Sequence, residues 1–329
     1  MKGLTLTVIT HRATGGLNYG ETFGNVSTLK KLTLGDNTQL VYISDKALRY
    51  SIRMWLKENK NWRLLDGLVA NLVNGNLKEK ETLDVDSFAK QLIEMYQEFD
   101  LFGGLFTNLK TSEGKKAKLS TGDSIKRTSV AKFTYAFALN HYKGDADFLN
   151  NIDAFNRYIK YVEDKGEQAI AYTEQHTSHY VYTLTVDLNR IGVWEKEDGS
   201  VEDVLPPQEK VKRVSDLLDA IFNLSRGIRA RHENLGPIFL IGGIFHTKNP
   251  FFVDCIDAKE EEGKLYLNIR KLLDCVALVP EKDNVICGML SGFFANEEEI
   301  RKNLNCRSMA EVLESFKKAV RYSYGSSEV

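Results

Sequence analysis

The sequence predicts an α+β fold: an antiparallel sheet of ferredoxin-like, RRM-type order with a large helical insertion and a protruding β-hairpin. Three observations predict it. Extended segments rich in β-branched and aromatic residues recur at Leu4–Thr10, Val130–Leu139 and Ser178–Leu188. Amphipathic helical segments fall between and after them, so the coarse order is β-α-β-β-α-β. No Pro- or Ser-rich linker interrupts the 329 residues, which favours one core with inserts over a string of domains. The implied parts are a core of 1–60, 127–189 and 206–329, an insertion of 61–126, and a hairpin of 190–205.

Taken in order, Leu4–Thr10 alternates apolar residues with threonine, as a half-buried strand does. A glycine- and asparagine-rich loop follows, holding Gly15, Gly16, Asn18, Gly20, Gly24 and Asn25, then Lys30 and Lys31 and the apolar stretch TQLVYIS. Ser44 is placed to cap a helix reaching about Glu58, on which Lys46, Arg49 and Arg53 share one face. Glycine-freed backbone beside clustered cations suits a phosphate chain. The bland alternative is a solvated basic face.

From Asn61 to Phe106 the pattern is helical, with Val85, Phe88, Leu92, Tyr96 and Phe99 on one core-facing stripe. Residues 109–126 form a lysine-rich, glycine-broken loop. In Ser178–Leu188, the side chains of Tyr180, Tyr182, Leu184, Val186 and Leu188 share one side. Asp198-Gly199 marks a hairpin turn, and Pro206-Pro207 opens a helix with Val211, Val214, Leu218, Ile221 and Phe222 inward. Arg226, Arg229 and Arg231 precede a glycine-containing strand. Strands are expected at Phe251–Asp257 and Val285–Leu290, then two helices with capping-box spacing at Asn296/Glu299 and Ser308/Glu311.

A net charge of −1 alone argues against a nucleic-acid partner, so the distribution of charge decides. Residues 1–60 hold nine Lys/Arg against four acids, and 108–127 hold six against two, while acids collect at 195–203, 260–262 and 297–299. Such a chain has a basic face for a polyanion and acidic faces for stacking on copies of itself. No apolar run approaches the length of a membrane span, and the N-terminus does not read as a signal peptide. Four cysteines without metal-type spacing predict free thiols in a reducing, cytoplasmic setting.

The motifs N-Y-G-E, G-N-V, L-K-K-L and Y-I-S-D-K-A-L-R-Y-S-I-R within residues 18–53 carry a resemblance. So do E-F-D-L-F-G-G-L-F at Glu98–Phe106, K-R-T-S-V from Lys126, A-L-N-H-Y-K-G-D-A-D-F-L-N-N at Ala138–Asn151, and the run from Glu174 to Gly192. In this order they resemble the CRISPR-associated Cas-seven backbone subunits of Cascade, in their type I-B, DevR-like branch of the RAMP superfamily. The resemblance implies a palm on the ferredoxin-like core, a helical insertion and a thumb, here residues 190–205. It implies a non-enzymatic subunit that binds CRISPR guide RNA without reading sequence, stacks head to tail, joins other Cascade subunits and meets target DNA through the guide. Gly16, Asn18, Asn25, Lys30, Lys31, Ser44, Lys46, Arg49, Arg53 and Arg127 are the expected RNA contacts, with Trp194 or Val193 as an apolar wedge. Arg226, Arg229 and Arg231 are further candidates for phosphate or a neighbouring subunit.

Other chemistry finds little support. His176 and His179 form an H-x-x-H at a strand entry, where spacing by three puts them on opposite faces; a packed pair is the expectation. The glycine loop lacks the Gly-Lys-Ser/Thr ending of a nucleotide P-loop. No metal or cofactor is expected. Target-RNA cleavage, the rival within the resemblance, uses an aspartate near the position of Asn25, an amide; Asp36 lies beyond the twin lysines. A DNA-binding autoregulator is the other rival, without a helix-turn-helix to support it, and a generic RRM-like chaperone lacks its aromatic signature.

Overall fold

A computed structural model describes residues 2–65, 82–107, 109–110, 116, 118–122, 124–150, 156–161 and 170–325. Much of the expected lysine-rich loop, residues 66–81 of the insertion, Asn151 and the tail 326–329 lie outside them. The main elements are β1 (Gly3–Thr10), β2 (Lys31–Thr33), β3 (Gln39–Ile43), α1 (Asp45–Lys60), α2 (Val85–Met95) and α3 (Gln97–Phe102). After them come β4 (Ala131–Phe133), β5 (Ala136–Ala138), β6 (Tyr180–Asp187), α4 (Pro207–Phe222) and β7 (Pro237–Phe245). The chain continues through α5 (Ile269–Leu278), β8 (Ile286–Met289), α6 (Glu297–Leu304) and α7 (Met309–Ser323).

One eight-stranded sheet runs β8-β7-β1-β6-β5-β3-β2, with β4 also on β6. Its pairings are all antiparallel. Counting β4 and β5 as one interrupted strand, the four core strands lie in the order fourth, first, third, second. Helices α1, α4 and α7 pack on one face. Leu4, Leu6 and Val8 of β1 point at them, as do Tyr180, Tyr182, Leu184, Val186 and Leu188 along β6 and just beyond it. Ser44 Oγ accepts from Ala47 N–H at 3.3 Å to start α1, and Asn61 ends it in the left-handed region. Leu48, Ile52 and Leu56 then fall at i, i+4 and i+8 on the buried side. Each such side chain contributes roughly 1.5–3 kcal/mol on burial.

The insertion has its own small core of Val85, Phe88, Leu92, Tyr96 and Phe99, closed by Trp194 and Leu205. Asp100 ties this unit to the sheet. Its carboxylate is fully buried and accepts from Arg127 at 2.7 Å, Arg213 at 2.9 Å and the Gly192 N–H at 2.9 Å. Arg127 also donates to the carbonyls of Asp100, Val193 and Arg190, and Arg213 to those of Ile93 and Glu94. Gly103 ends α3 at φ 72°, where a Cβ would sit 2.2 Å from the Arg127 carbonyl, so only glycine fits.

Several expectations need correction. Residues 251–257 are turns rather than a strand, because Phe252 and Cys255 are drawn into the C-terminal core instead of pairing; the strand there is Ala258–Glu261. The cysteines are not free: Cys255 is joined to Cys275 and Cys287 to Cys306, at separations of 20 and 19 residues that only tertiary packing brings together. The 130–139 strand is broken at Thr134-Tyr135. Asn296 does not cap α6; its amide bridges to Leu267 and Glu299, whereas Ser308 and Glu311 form a full capping box. Among the described residues no helix is long and apolar enough to cross a membrane.

Two predictions follow from the burial of charge. Asp100→Asn keeps the shape but leaves two buried guanidiniums short of their counter-charge, and breaking a buried pair costs roughly 3–5 kcal/mol. Its melting temperature should fall by at least about 5 °C, whereas Arg49→Ala on the surface should change it little. His176 and His179 are buried against the carbonyls of Asn140 and Thr10, at 3.1 and 2.8 Å, and burial lowers both pKa values. Folded, they stay neutral, while the unfolded chain gains protons below about pH 6.5. Stability should be full above that pH and decline as the pH falls below it, less steeply in His179→Gln; a pH-independent melting curve would contradict the assignment.

Candidate nucleic-acid interface

A groove of about 590 Å³ runs between α1 and the turn after α3. Lys46, Arg49 and Arg53 form one wall; Gly103, Gly104 and Leu105 with Lys126 form the other. The wall exists because α1 turns its apolar stripe to the sheet and leaves the i, i+3, i+7 cations outward. Lys46 and Lys126 are exposed, and among the described residues neither meets an acid. Arg49 pairs with Asp45 at 2.9 Å, one turn back on the same helix. Both side chains are partly buried, and same-helix pairs of this spacing are typically worth about 0.3–0.5 kcal/mol. Arg53 donates to Glu98, whose other oxygen accepts from the Leu65 N–H at 2.6 Å, so Arg53 is partly committed.

The glycine- and asparagine-rich segment is more ordered than a phosphate loop. Tyr19–Phe23 and Val26–Leu29 form a hairpin turning at Gly24 and Asn25, and it joins Ala146–Asn150 and Ile170–Glu174 in a separate four-stranded sheet. Gly16 is buried under Tyr19, whose ring a Cβ would strike at 1.9 Å. Asn18 fastens this region to α1: its side chain accepts from Ser44 N–H at 2.9 Å and its carbonyl from Lys30 N–H at 3.1 Å. Asn25 is exposed, its carbonyl taking the Tyr172 N–H.

Several expected contacts hold the protein together instead. Arg127 is spent on Asp100 and three carbonyls, with a side chain only 1% exposed, so it is not a phosphate grip. Lys31 pairs with Glu174 at 2.6 Å and lies over the Tyr142 ring. Arg226 donates to the carbonyls of Leu17 and Ala47 and to Ser51 Oγ, clamping the glycine segment on α1. Arg231 donates to Gln175 at 2.7 Å. Arg229 sits exposed at a turn, at φ 56° and over the Tyr19 ring. Trp194 is 7% exposed and its indole N–H donates to Asp86 at 2.8 Å, so the base of the 190–205 hairpin offers no free wedge. Val193 likewise gives its carbonyl to Arg127.

Glu98, Asp100 and Glu174, which the sequence did not single out as partners, occupy Arg53, Arg127 and Lys31. The signal was present in E-F-D-L-F-G-G-L-F, where two acids interrupt an apolar run, since an acid inside a core needs a cation. Among the described residues no group of three or more His, Cys, Asp or Glu is placed to hold a metal ion. The groove offers cations and an apolar lip, chemistry that suits a polyanionic chain.

Comparison with known proteins bears on the fold and the family. No curated protein sequence matches the chain. One solved chain, from a "CRISPR RNA-guided surveillance complex, pre-nicking", is 12% identical with a TM-score of 0.59, covering 97% of this chain and 100% of that one. Another, from a "CRISPR RNA-guided surveillance complex", is also 12% identical, at TM-score 0.51 over 98% and 99%. At that identity the likeness shows the fold. The family described as "CRISPR-associated negative auto-regulator DevR/Csa2" matches residues 10–262, and the chain belongs to it.

Proposed function

We propose that the chain is a guide-RNA-binding backbone subunit of a type I Cascade surveillance complex, stacking head to tail along the guide. The observation that carries this is the open cationic groove of Lys46, Arg49, Arg53 and Lys126, in a chain of the DevR/Csa2 family whose fold matches a surveillance-complex chain end to end. In this reading the sheet with α1 and α4 is the ferredoxin-like palm. The groove holds guide phosphates and leaves bases free to pair with target DNA. With Trp194 packed away, the wedge role passes from the 190–205 hairpin to the four-stranded sheet. Phe148 and Tyr172 there are 48% and 43% exposed with ring centroids 5.3 Å apart. The subunit performs no catalysis in this account; Asn25 supplies no carboxylate where the cleaving relatives need one.

The family's description as a negative auto-regulator keeps a second reading in view, in which the chain would act on duplex DNA. Salt dependence separates the details. Each neutralised phosphate contributes about −0.7 to the log–log slope on a single strand. Lys46→Ala/Lys126→Ala should make the slope for single-stranded RNA shallower by about 1.4 and weaken binding equally for all sequences. An unchanged slope, or a loss confined to one sequence or to duplex DNA, would contradict the groove's assignment.

A further inference from the structure

The face of the sheet turned away from α1, α4 and α7 is only half covered. The C-terminal lobe packs over Ile9, Val181 and Phe239 there, while Tyr135 is 41% and Leu32 42% exposed on the remaining half. Between β4 and β5 the register changes: Phe133 pairs with Leu184 and Phe137 with Val181, so four steps on one strand match three on the other. Such a bulge re-aims side chains. Phe133 packs toward the helices, as do Ala136 and Ala138, and the extra residue throws Tyr135 and Phe137 to the opposite face. Thr134 stabilises the bulge, its N–H donating to Thr183 and its hydroxyl accepting from the Thr183 N–H.

There Tyr135 stacks on Tyr42 at 4.7 Å and 19°, and Phe137 lies 6.1 Å from both rings. Two lysines flank the trio. Lys30 sits beside Tyr42, whose N–H donates to its carbonyl, and exposed Lys132 pairs in register with Thr185 on the same face. Among the described residues neither lysine meets an acid. Cross-strand packing explains the contact between Tyr42 and Phe137, which are neighbours in register. It does not explain a bulge that turns a third ring out to water.

We propose that this face binds unpaired nucleobases of a single strand, with a base stacking on Tyr135 against Tyr42 and Lys30 and Lys132 taking the flanking phosphates. Every base has a π-face, so the site is indifferent to sequence. It goes beyond the groove, which lies on the helix side and holds backbone. The test uses the full chain and short oligonucleotides, rU, dT and an abasic strand of equal length, by fluorescence anisotropy. Tyr135→Ala should weaken rU and dT about tenfold and leave the abasic strand unchanged, and Tyr135→Phe should restore binding. Equal loss on the abasic strand, or no loss on rU and dT, overturns the site. So does a change of oligomeric mass in Tyr135→Ala without nucleic acid, which would assign the face to a second copy. Lys46→Ala/Lys126→Ala should weaken all three strands alike, so failure of the groove and failure of the platform are separable.

Discussion

A single buried carboxylate holds the two parts of this molecule in register. Asp100, in α3 of the insertion, is shared by Arg127, which ends the short strand Ser124–Arg127 ahead of β4, and Arg213 on α4, and it takes the Gly192 N–H as well. Buried charge is tolerated only when paired and saturated with hydrogen bonds. Here the two guanidiniums reach five backbone carbonyls besides. These bonds fix the insertion against the sheet. That placement brings Gly103, Gly104 and Lys126 opposite α1 and so creates the groove.

The cations divide accordingly. Those within reach of Asp100, Glu98 and Glu174 are drawn inward to neutralise acids and cap carbonyls, which removes Arg127 and Lys31 from the set that a polyanion meets. Lys46 and Lys126 remain outward, with Arg49 beside them in a partly buried same-helix pair. Net charge hides this division, since at −1 the chain shows no excess of either sign. A local concentration of outward cations attracts a polyanion, whatever the total.

Much of the scaffold was legible because it rests on local rules. Ser44, Ser308 and Pro207 start helices where caps and prolines place them, and the apolar stripes read for α2 and α4 are the buried ones. The mixed α+β character was legible for the same reason. Illegible features depended on distant partners. Arginines at 127 and 226 read as cations for a ligand until their carbonyl partners were placed around them. The cysteine pairs share no short motif, and residues 251–257 look like a strand because Phe and Val favour one when nothing else claims them. The bulge at Tyr135 is a mismatch of register between two strands, invisible in either strand alone.

A backbone subunit must line one single strand in many copies. The most direct measurement is the mass and shape of the purified protein on a guide-length RNA, by light scattering and electron microscopy. Regularly spaced strings whose copy number grows with RNA length are the predicted result. A discrete dimer that prefers duplex DNA, or RNA shortened when magnesium is added, would contradict it.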